Sequence, residues 1–168
     1  MPAVLAVRPM TTDDLEMVLQ IYAEGIATSQ ATFETEVPTP EAFCARWHAD
    51  HRWVAELDGE VVGWAALAPV STRACYRGVA EDSVYVRNGF RSRGIGLGLM
   101  RQLVIAADEA GLWTLQTSIF PDNETSVRLH QAVGYRIVGL REKIAQLNNR
   151  WRDTVLMERR TEPSFEPI

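Results

Sequence analysis

The stretch "SVYVRNGFRSRGIGLGLM", residues 83–100, decides the fold. It begins with a β-branched and aromatic run typical of a strand, and it ends in an apolar pattern with helical spacing. Between the two lies "RSRGIG", residues 91–96. Because glycine lacks a β-carbon, successive amide N–H groups in such a turn can point at one anion, and the following helix adds its positive end. The stretch therefore predicts a strand–loop–helix unit that holds a phosphate group.

Two better-known phosphate-binding loops do not fit this stretch. The Walker A loop needs a Gly-Lys-Ser/Thr sequence, and no lysine is present here. The dinucleotide-binding fingerprint G-x-G-x-x-G fits poorly, because Leu99 stands where the third glycine belongs and Asp122 is the nearest, poorly placed acid after the next strand. The pattern that remains is R/Q-x-x-G-x-G/A between a strand and a helix.

The rest of the chain predicts a single α/β domain over residues 1–160, followed by a flexible tail at 161–168. Asp58-Gly59 and Asn148-Asn149 each separate two apolar runs, as the turn of a β-hairpin does. The element order is β-α-α-β-β-β-α-β-α-β-β, which implies a mixed sheet. Strands are predicted at 3–8, 79–87 and 112–120, hairpins at 52–70 and 135–159, and helices at 11–26, 41–51, 94–111 and 121–134.

Composition excludes several classes of partner. The 168 residues carry a net charge of −5, whereas proteins that bind nucleic acids non-specifically need a basic surface. No apolar run approaches the length of a membrane span, and the N-terminus lacks the apolar segment of a secretory signal, so we expect a cytoplasmic protein. Cys44 and Cys75 have no metal-binding spacing, and no metal is expected.

The glycine loop and its surroundings resemble the GCN5-related N-acetyltransferases, the GNAT family, whose R/Q-x-x-G-x-G/A loop holds the pyrophosphate of acetyl-CoA. The segments "AEDSVYV", "SVRLHQAVGY" and "RWRDTVLMER" are similar to the phosphinothricin and methionine sulfoximine/sulfone acetyltransferase branch, and the similarity runs from about residue 5 to 160. The resemblance implies the GNAT acyl-CoA N-acyltransferase fold, a mixed and mostly antiparallel sheet with a central βαβ unit that binds acetyl-CoA. It also implies a homodimer, and direct acetyl transfer in a ternary complex to the α-amine of a small amino-acid-like molecule.

Residues that contact acetyl-CoA follow from this resemblance. The strand backbone should pair with the pantetheine amides as an added strand pairs with a sheet edge, and the loop and helix start should bind the pyrophosphate. An asparagine at the start of the next helix caps it and contacts the cofactor as well. The residues are Val84, Tyr85, Val86, Arg91, Ser92, Arg93, Gly94, Ile95, Gly96, Leu97, Asn123 and Ser126.

Two side chains are expected to carry the chemistry. An ammonium has no lone pair, so the acceptor needs a base, and the branch has a glutamate at the position of Glu81; it acts directly or through water. Strand alternation points the adjacent Asp82 away from it. His130 stands where the wider family commonly has a tyrosine that protonates the leaving thiolate, and its role as acid, base or structural residue stays open. Tyr135 is expected to be a core strand residue.

The acceptor site is expected around Phe33, Glu34, Arg73, Tyr76 and Ser83, together with Glu81. Arg73 matches an arginine of the branch and would bind the carboxylate of an amino-acid substrate; Arg77 is the weaker choice. Two alternatives remain open. One is the same chemistry on another amine, such as a polyamine, an antibiotic or a protein N-terminus, because the acidic balance suits cationic acceptors. The other is a non-catalytic acetyl-CoA-binding module.

Overall fold

One twisted sheet with helices on both faces forms the part of the chain that the computed structural model describes, residues 4–161. The strands are β1 (Leu5–Pro9), β2 (Arg52–Leu57), β3 (Glu60–Pro69), β4 (Val79–Val86), β5 (Thr114–Ile119), β6 (Arg136–Leu147) and β7 (Arg150–Arg160). The helices are α1 (Leu15–Ala27), α2 (Pro40–Arg46), α3 (Ile95–Glu109) and α4 (Glu124–Ala132). The predicted order of strands and helices is confirmed, with two short 3-10 turns in addition at Thr12–Asp14 and Ala74–Tyr76.

The strand order in the sheet is β1-β2-β3-β4-β5-β7-β6. Every neighbouring pair is antiparallel except β4 and β5, which run parallel and are joined by α3. A parallel pair needs a crossover connection, and the helix after the glycine loop supplies it. The expected mixed, mostly antiparallel sheet with a central βαβ unit is therefore confirmed.

Both predicted hairpin turns form where the sequence places them. The backbone is left-handed at Asp58 (φ 50°) and Gly59 (φ 85°), and again at Asn148 (φ 51°) and Asn149 (φ 61°). Two consecutive residues with positive φ make the type I′ turn that matches the twist of a hairpin, and Asn, Asp and Gly adopt it most readily. Local residue chemistry thus sets the register of β2–β3 and β6–β7.

Helix α2 ends earlier than its sequence pattern predicts. The pattern continues to residue 51, but Trp47 already has extended backbone (φ −100°, ψ 144°). The guanidinium of Arg52, in the next strand, donates hydrogen bonds to the carbonyl oxygens of Cys44 and Trp47, the latter at 2.8 Å. These bonds satisfy carbonyls that the ended helix leaves without intrahelical partners.

The two faces of the sheet carry separate cores. Helices α3 and α4 cover an aliphatic core on one face, which includes Leu67, Leu99 and Leu103. Helices α1 and α2 cover an aromatic core on the other face, built from Tyr22, Phe43, Trp47 and Trp64. Side chains alternate along β3, so that Trp64 and Ala66 enter the aromatic core while Ala65 and Leu67 enter the aliphatic one.

Strands β4 and β5 pair over only three residues and then separate. Their register joins Val79–Glu81 to Thr114–Gln116, and β4 continues to Val86 while β5 continues to Ile119. Over 82–86 the edge of β4 that faces β5 has no strand partner within residues 4–161. A cleft therefore opens in the middle of the sheet, next to the loop that leads into α3.

The chain ends lie mostly outside this description. The predicted flexible tail, residues 161–168, falls beyond the described residues except for Thr161, whose N–H donates to the carbonyl of Trp113 (3.1 Å). Within residues 4–161, none of the helices combines the length and the apolar composition that a bilayer span requires.

Candidate active site

A cleft of about 180 Å³ lies where β4 and β5 separate. Its walls come from β4, from the end of β5, from the start of α4 and from the loop between α1 and α2. Of the residues expected at the site, those that line the cleft are Phe33, Glu34, Glu81, Ser83, Val84, Tyr85, Asn123, Ser126 and His130.

Strand alternation sorts the residues of β4 between the two faces of the sheet. Tyr85 packs into the aromatic core under α1, whereas Val84 and Val86 pack against the aliphatic core. By the same period of two, Glu81 lies on the face of Tyr85 and Asp82 on the opposite one, as predicted. Glu81 is half-buried, and one of its carboxylate oxygens accepts a hydrogen bond from Nε2 of Gln116 on β5 (3.2 Å).

Asp82 forms a buried polar network with two residues of the α4 region. One carboxylate oxygen lies 2.9 Å from Nε2 of His130, and the other accepts a hydrogen bond from the hydroxyl of Tyr135. Nδ1 of His130 lies 2.7 Å from the carbonyl oxygen of Ser126. Burial lowers the pKa of His130, but the charge of Asp82 and the two hydrogen bonds outweigh it, so the pKa is raised above its ordinary value. The pKa of Tyr135 is raised by burial and by Asp82.

The start of α4 borders the same cleft. Asn123 caps the helix, because its side-chain oxygen accepts a hydrogen bond from the N–H of Ser126 (3.2 Å), and its amide group reaches the carbonyl of Gln30 at 3.5 Å. The cap therefore ties α4 to the loop after α1. The predicted capping role of Asn123 is confirmed, and its predicted contact with the cofactor stays a prediction.

The glycine loop has the geometry of an anion-binding turn. Ser92 (φ 62°) and Gly94 (φ 76°) are left-handed, and α3 begins at Ile95. The first helical hydrogen bond runs from the N–H of Gly98 to the carbonyl of Gly94. The N–H groups of residues 95–97 precede that bond and have no acceptor one turn earlier in the helix. Phosphate binding by these N–H groups stays a prediction.

The arginines of the loop are exposed and lie close to the helix start. Arg91 and Arg93 are both accessible to solvent, and the guanidinium of Arg93 lies 5.2 Å from the ring centre of Phe90. A β-carbon on Gly96 would lie 3.2 Å from Cδ2 of Leu129 in α4. Gly96 thus permits close packing between the start of α3 and α4, beside the open end of the cleft.

The acceptor-side residues fall into two groups. Phe33 packs edge-on against Phe120 with ring centres 4.9 Å apart, and Glu34 accepts a hydrogen bond from Arg46 (3.0 Å), both in the cleft wall. Arg73 and Tyr76 lie instead on the exposed turn that leads into β4, with the Arg73 guanidinium 5.5 Å from the Tyr76 ring centre. Neither of these two contributes to the cleft wall, and their role in acceptor binding stays a prediction.

Asp82, Tyr135 and Arg46 are among the residues that sequence reasoning did not assign to the site. The sequence correctly placed Asp82 on the face opposite Glu81. It did not identify the partners of Asp82, because His130 and Tyr135 lie 48 and 53 residues further along the chain. Tyr135 is buried as expected of a core residue, yet it also donates a hydrogen bond to this network. The available signal was the acid itself, which interrupts the apolar face formed by Ala80, Val84 and Val86. Arg46, which adds a positive charge to the cleft wall, gave no signal.

Comparison with known proteins points to one family. A model of the acetyltransferase (GNAT) family matches residues 18–135. The chain is 37% identical over 161 residues to a phosphinothricin N-acetyltransferase from Alcaligenes faecalis, which covers 91% of this chain and 81% of the relative. It is 30% identical over 166 residues to an L-methionine sulfoximine/L-methionine sulfone acetyltransferase from Pseudomonas paraeruginosa, which covers 95% and 96%.

A solved structure extends the similarity to the whole fold. A GNAT superfamily phosphinothricin acetyltransferase from Sinorhizobium meliloti, crystallised in complex with acetyl-CoA, superposes with a TM-score of 0.85. The match has 29% identity and covers 99% of this chain and 95% of the other.

Proposed function

The chain belongs to the acetyltransferase (GNAT) family, and on that premise we propose that it acetylates the α-amine of a small amino-acid-like molecule with acetyl-CoA. The acceptors that we propose are of the phosphinothricin, methionine sulfoximine or methionine sulfone type, in keeping with the names of the relatives. The observation that carries the proposal is the separation of β4 from β5, because it leaves an open strand edge between Glu81 and the glycine loop that follows β4.

The proposed binding of acetyl-CoA uses backbone groups. Residues 84–86 offer an open strand edge to the pantetheine amides, and the N–H groups at 95–97 face the pyrophosphate together with Arg91, Arg93 and the turn at Ser92 and Gly94. Asn123 and Ser126 border the same space from α4. Both features suit an elongated ligand that has amides at one end and phosphates at the other.

The proposed reaction is direct acyl transfer in a ternary complex. Acetyl-CoA supplies the acetyl group as a thioester; the new bond joins the amine nitrogen to the acetyl carbon, and the carbon–sulfur bond breaks. Glu81 takes the proton of the amine, directly or through one water. A thiol has a pKa of about 8.5, so the sulfur leaves as a thiolate with little assistance. Positioning of the two substrates supplies much of the remaining acceleration.

The proposed acceptor site combines Glu81 and Ser83 with the loop that carries Phe33 and Glu34. Arg73, with Tyr76 beside it, is proposed to bind the acceptor carboxylate from the turn before β4. This turn leads straight into the strand that carries Glu81, so the cation and the base approach the acceptor from one continuous segment.

The remaining expectations concern the whole protein. We propose a cytoplasmic homodimer whose reaction needs neither a metal nor a nucleic acid or membrane partner. Support for a dimer comes from strand β6, on which Ile137, Val138, Leu140 and Ile144 are exposed, together with Trp151 on β7. Exposed clusters of large apolar side chains are typical of interfaces.

A second candidate function is the same acetyl transfer to a different amine. One observation supports it. The cleft wall carries the acidic side chains of Glu34, Glu81 and Asp82 but, within the described residues, only Arg46 and His130 as bases. A polyamine or another cationic acceptor would suit that balance.

The deciding experiment measures thiol release from acetyl-CoA with a panel of acceptors. We expect turnover with methionine sulfone, methionine sulfoximine or phosphinothricin. Turnover with polyamines, antibiotics or a peptide N-terminus, and with none of these three, would favour the second candidate. Binding of acetyl-CoA without thiol release from any amine would contradict both and leave a non-catalytic acetyl-CoA-binding module.

A further inference from the structure

The buried carboxylate of Asp82 is the most unusual feature beside the cleft. Its residue is 4% exposed and lies on the face of β4 that otherwise carries apolar side chains. A buried charge persists only when its partners compensate for the lost water. Asp82 has two such partners, because Oδ1 faces His130 and Oδ2 accepts the hydroxyl hydrogen of Tyr135.

The hydrogen-bond partners of His130 favour its doubly protonated form. Its Nδ1 lies 2.7 Å from the carbonyl oxygen of Ser126, which can only accept, so Nδ1 must carry a hydrogen. Its Nε2 lies 2.9 Å from a carboxylate whose other oxygen already accepts a bond from Tyr135. While Asp82 is ionised, an acceptor faces each ring nitrogen, and the imidazole satisfies both only when it is doubly protonated and positively charged.

The surroundings agree with this assignment. The groups that face the imidazole are Asp82 from β4, the Ser126 carbonyl and hydroxyl from α4 itself, and the Tyr135 ring from the segment after α4. Arg159 on β7 acts on Tyr135 and forms two 2.8 Å hydrogen bonds to Asp108, so its charge is paired. His130 is 1% exposed, so solvent does not replace these partners.

We propose that Asp82 is a positioning residue that holds His130 as a fixed cation at the point where β4 leaves β5. The pair joins α4 to β4 across the separation of the strands. A cationic His130 cannot act as a general base, and both of its N–H groups already have acceptors. Its contribution to acetyl transfer is then its charge and its place in the cleft wall. The inference deepens the proposed function and rests on it for that contribution.

The test follows the protonation of the three histidines by NMR of protein labelled with ¹⁵N-histidine. His130 is identified by the loss of its signal in His130→Gln. We expect His130 of the unmodified protein to remain doubly protonated at pH 7.5, where His51, whose pKa burial lowers, is neutral. A neutral His130 at that pH would overturn the inference without the need for any variant.

The Asp82→Asn variant tests the cause. Without the carboxylate, burial is the dominant influence on the imidazole, so we expect the titration of His130 to move down by at least one pH unit. We expect turnover to fall at least tenfold while the affinity for acetyl-CoA changes less than threefold. An unchanged His130 titration in this variant would contradict the positioning role.

Two further variants serve as controls. Tyr135→Phe keeps the ring and the ion pair, so His130 should stay charged and turnover should fall less than in Asp82→Asn. Asp58→Asn makes the same substitution in the exposed β2–β3 turn, where asparagine tolerates the positive φ, and should change neither measurement. The NMR result does not depend on the acceptor, so inactivity toward the whole acceptor panel would refute the proposed function and leave the His130 assignment standing.

Discussion

At the scale of single residues, Glu81 has the placement that the proposed chemistry requires. It is half-buried on the face of β4 that also carries Tyr85, and its carboxylate accepts a hydrogen bond from Gln116. We expect Glu81→Gln to lower turnover by about a hundredfold or more, which is the usual contribution of a general base. The variant can use only acceptor whose amine is already deprotonated. Because the deprotonated fraction decreases as the pH is lowered, the loss of turnover should be greatest at low pH.

The measurement for Glu81 is kcat/KM against pH from 6 to 10 for the variant and the unmodified enzyme. Glu60→Gln, at the exposed start of β3, is the matched control and should follow the unmodified profile. Equal losses at all pH values would assign Glu81 to acceptor binding instead of proton transfer.

The second prediction at this scale concerns the cation for the acceptor carboxylate. We expect Arg73→Gln to raise the KM for the acceptor about tenfold or more, because a charge-assisted hydrogen bond is worth about 1.5–3 kcal/mol. The KM for acetyl-CoA should not change. Arg77→Gln is the control, since Arg77 lies on the same turn but stacks on Trp113 at 5.3 Å. If Arg46→Gln raised the acceptor KM and Arg73→Gln did not, the carboxylate would bind on the α2 side of the cleft.

Single residues also mark where sequence reasoning ends. Strand alternation correctly placed Glu81 and Asp82 on opposite faces, because a period of two is a local property of the backbone. It gave no account of the Asp82–His130 pair, which depends on how α4 packs against β4 across 48 residues of chain. Arg46 enters the cleft wall for the same kind of reason, through the packing of α2.

At the scale of elements, the backbone conformation of the turn into α3 should decide the affinity for acetyl-CoA. Gly94 has φ 76°, where a residue with a β-carbon costs about 1–2 kcal/mol, although nothing lies within 4 Å of the added atom. We expect Gly94→Ala to weaken acetyl-CoA binding, because relief of this strain moves the N–H groups at 95–97 away from the pyrophosphate.

Helix α3 provides the control for that prediction. Gly111, just beyond its other end, has φ 78° and equally open space. Gly111→Ala should lose similar stability in urea denaturation yet keep the affinity for acetyl-CoA, measured by calorimetry. Equal losses of affinity in both variants would mean that the glycine loop acts through stability alone.

Elements show the same division between local and distant causes. The hairpin turns at Asp58-Gly59 and Asn148-Asn149 and the cap at Asn123 were predicted because each depends on its own side chain. The predicted end of α2 was wrong. The guanidinium of Arg52, which lies in the next strand, donates hydrogen bonds to the last carbonyl oxygens of the helix, and the sequence pattern of α2 does not contain this contact. The three-residue pairing of β4 with β5 has no local signature at all, and the resemblance implied only the βαβ unit that contains it.

At the scale of the whole molecule, β6 lacks the burial of an ordinary strand. Nine of its twelve residues are exposed, although it is the edge strand next to β7 and carries several large apolar side chains. Exposed apolar edges invite association, and a stable interface buries about 1,200–2,000 Å². A second copy of the chain on this surface would remove these apolar side chains from water.

We therefore expect a dimer by analytical ultracentrifugation at micromolar concentration, and we expect Leu140→Glu to convert it to a monomer. Leu140 is 53% exposed, so its replacement does not disturb the interior. Ile105→Glu, on the outer face of α3, is the matched control, because Ile105 is 52% exposed and lies outside β6 and β7. A dimer that survived Leu140→Glu but dissociated with Ile105→Glu would move the interface to α3, and a monomer in the unmodified protein would contradict the proposal outright.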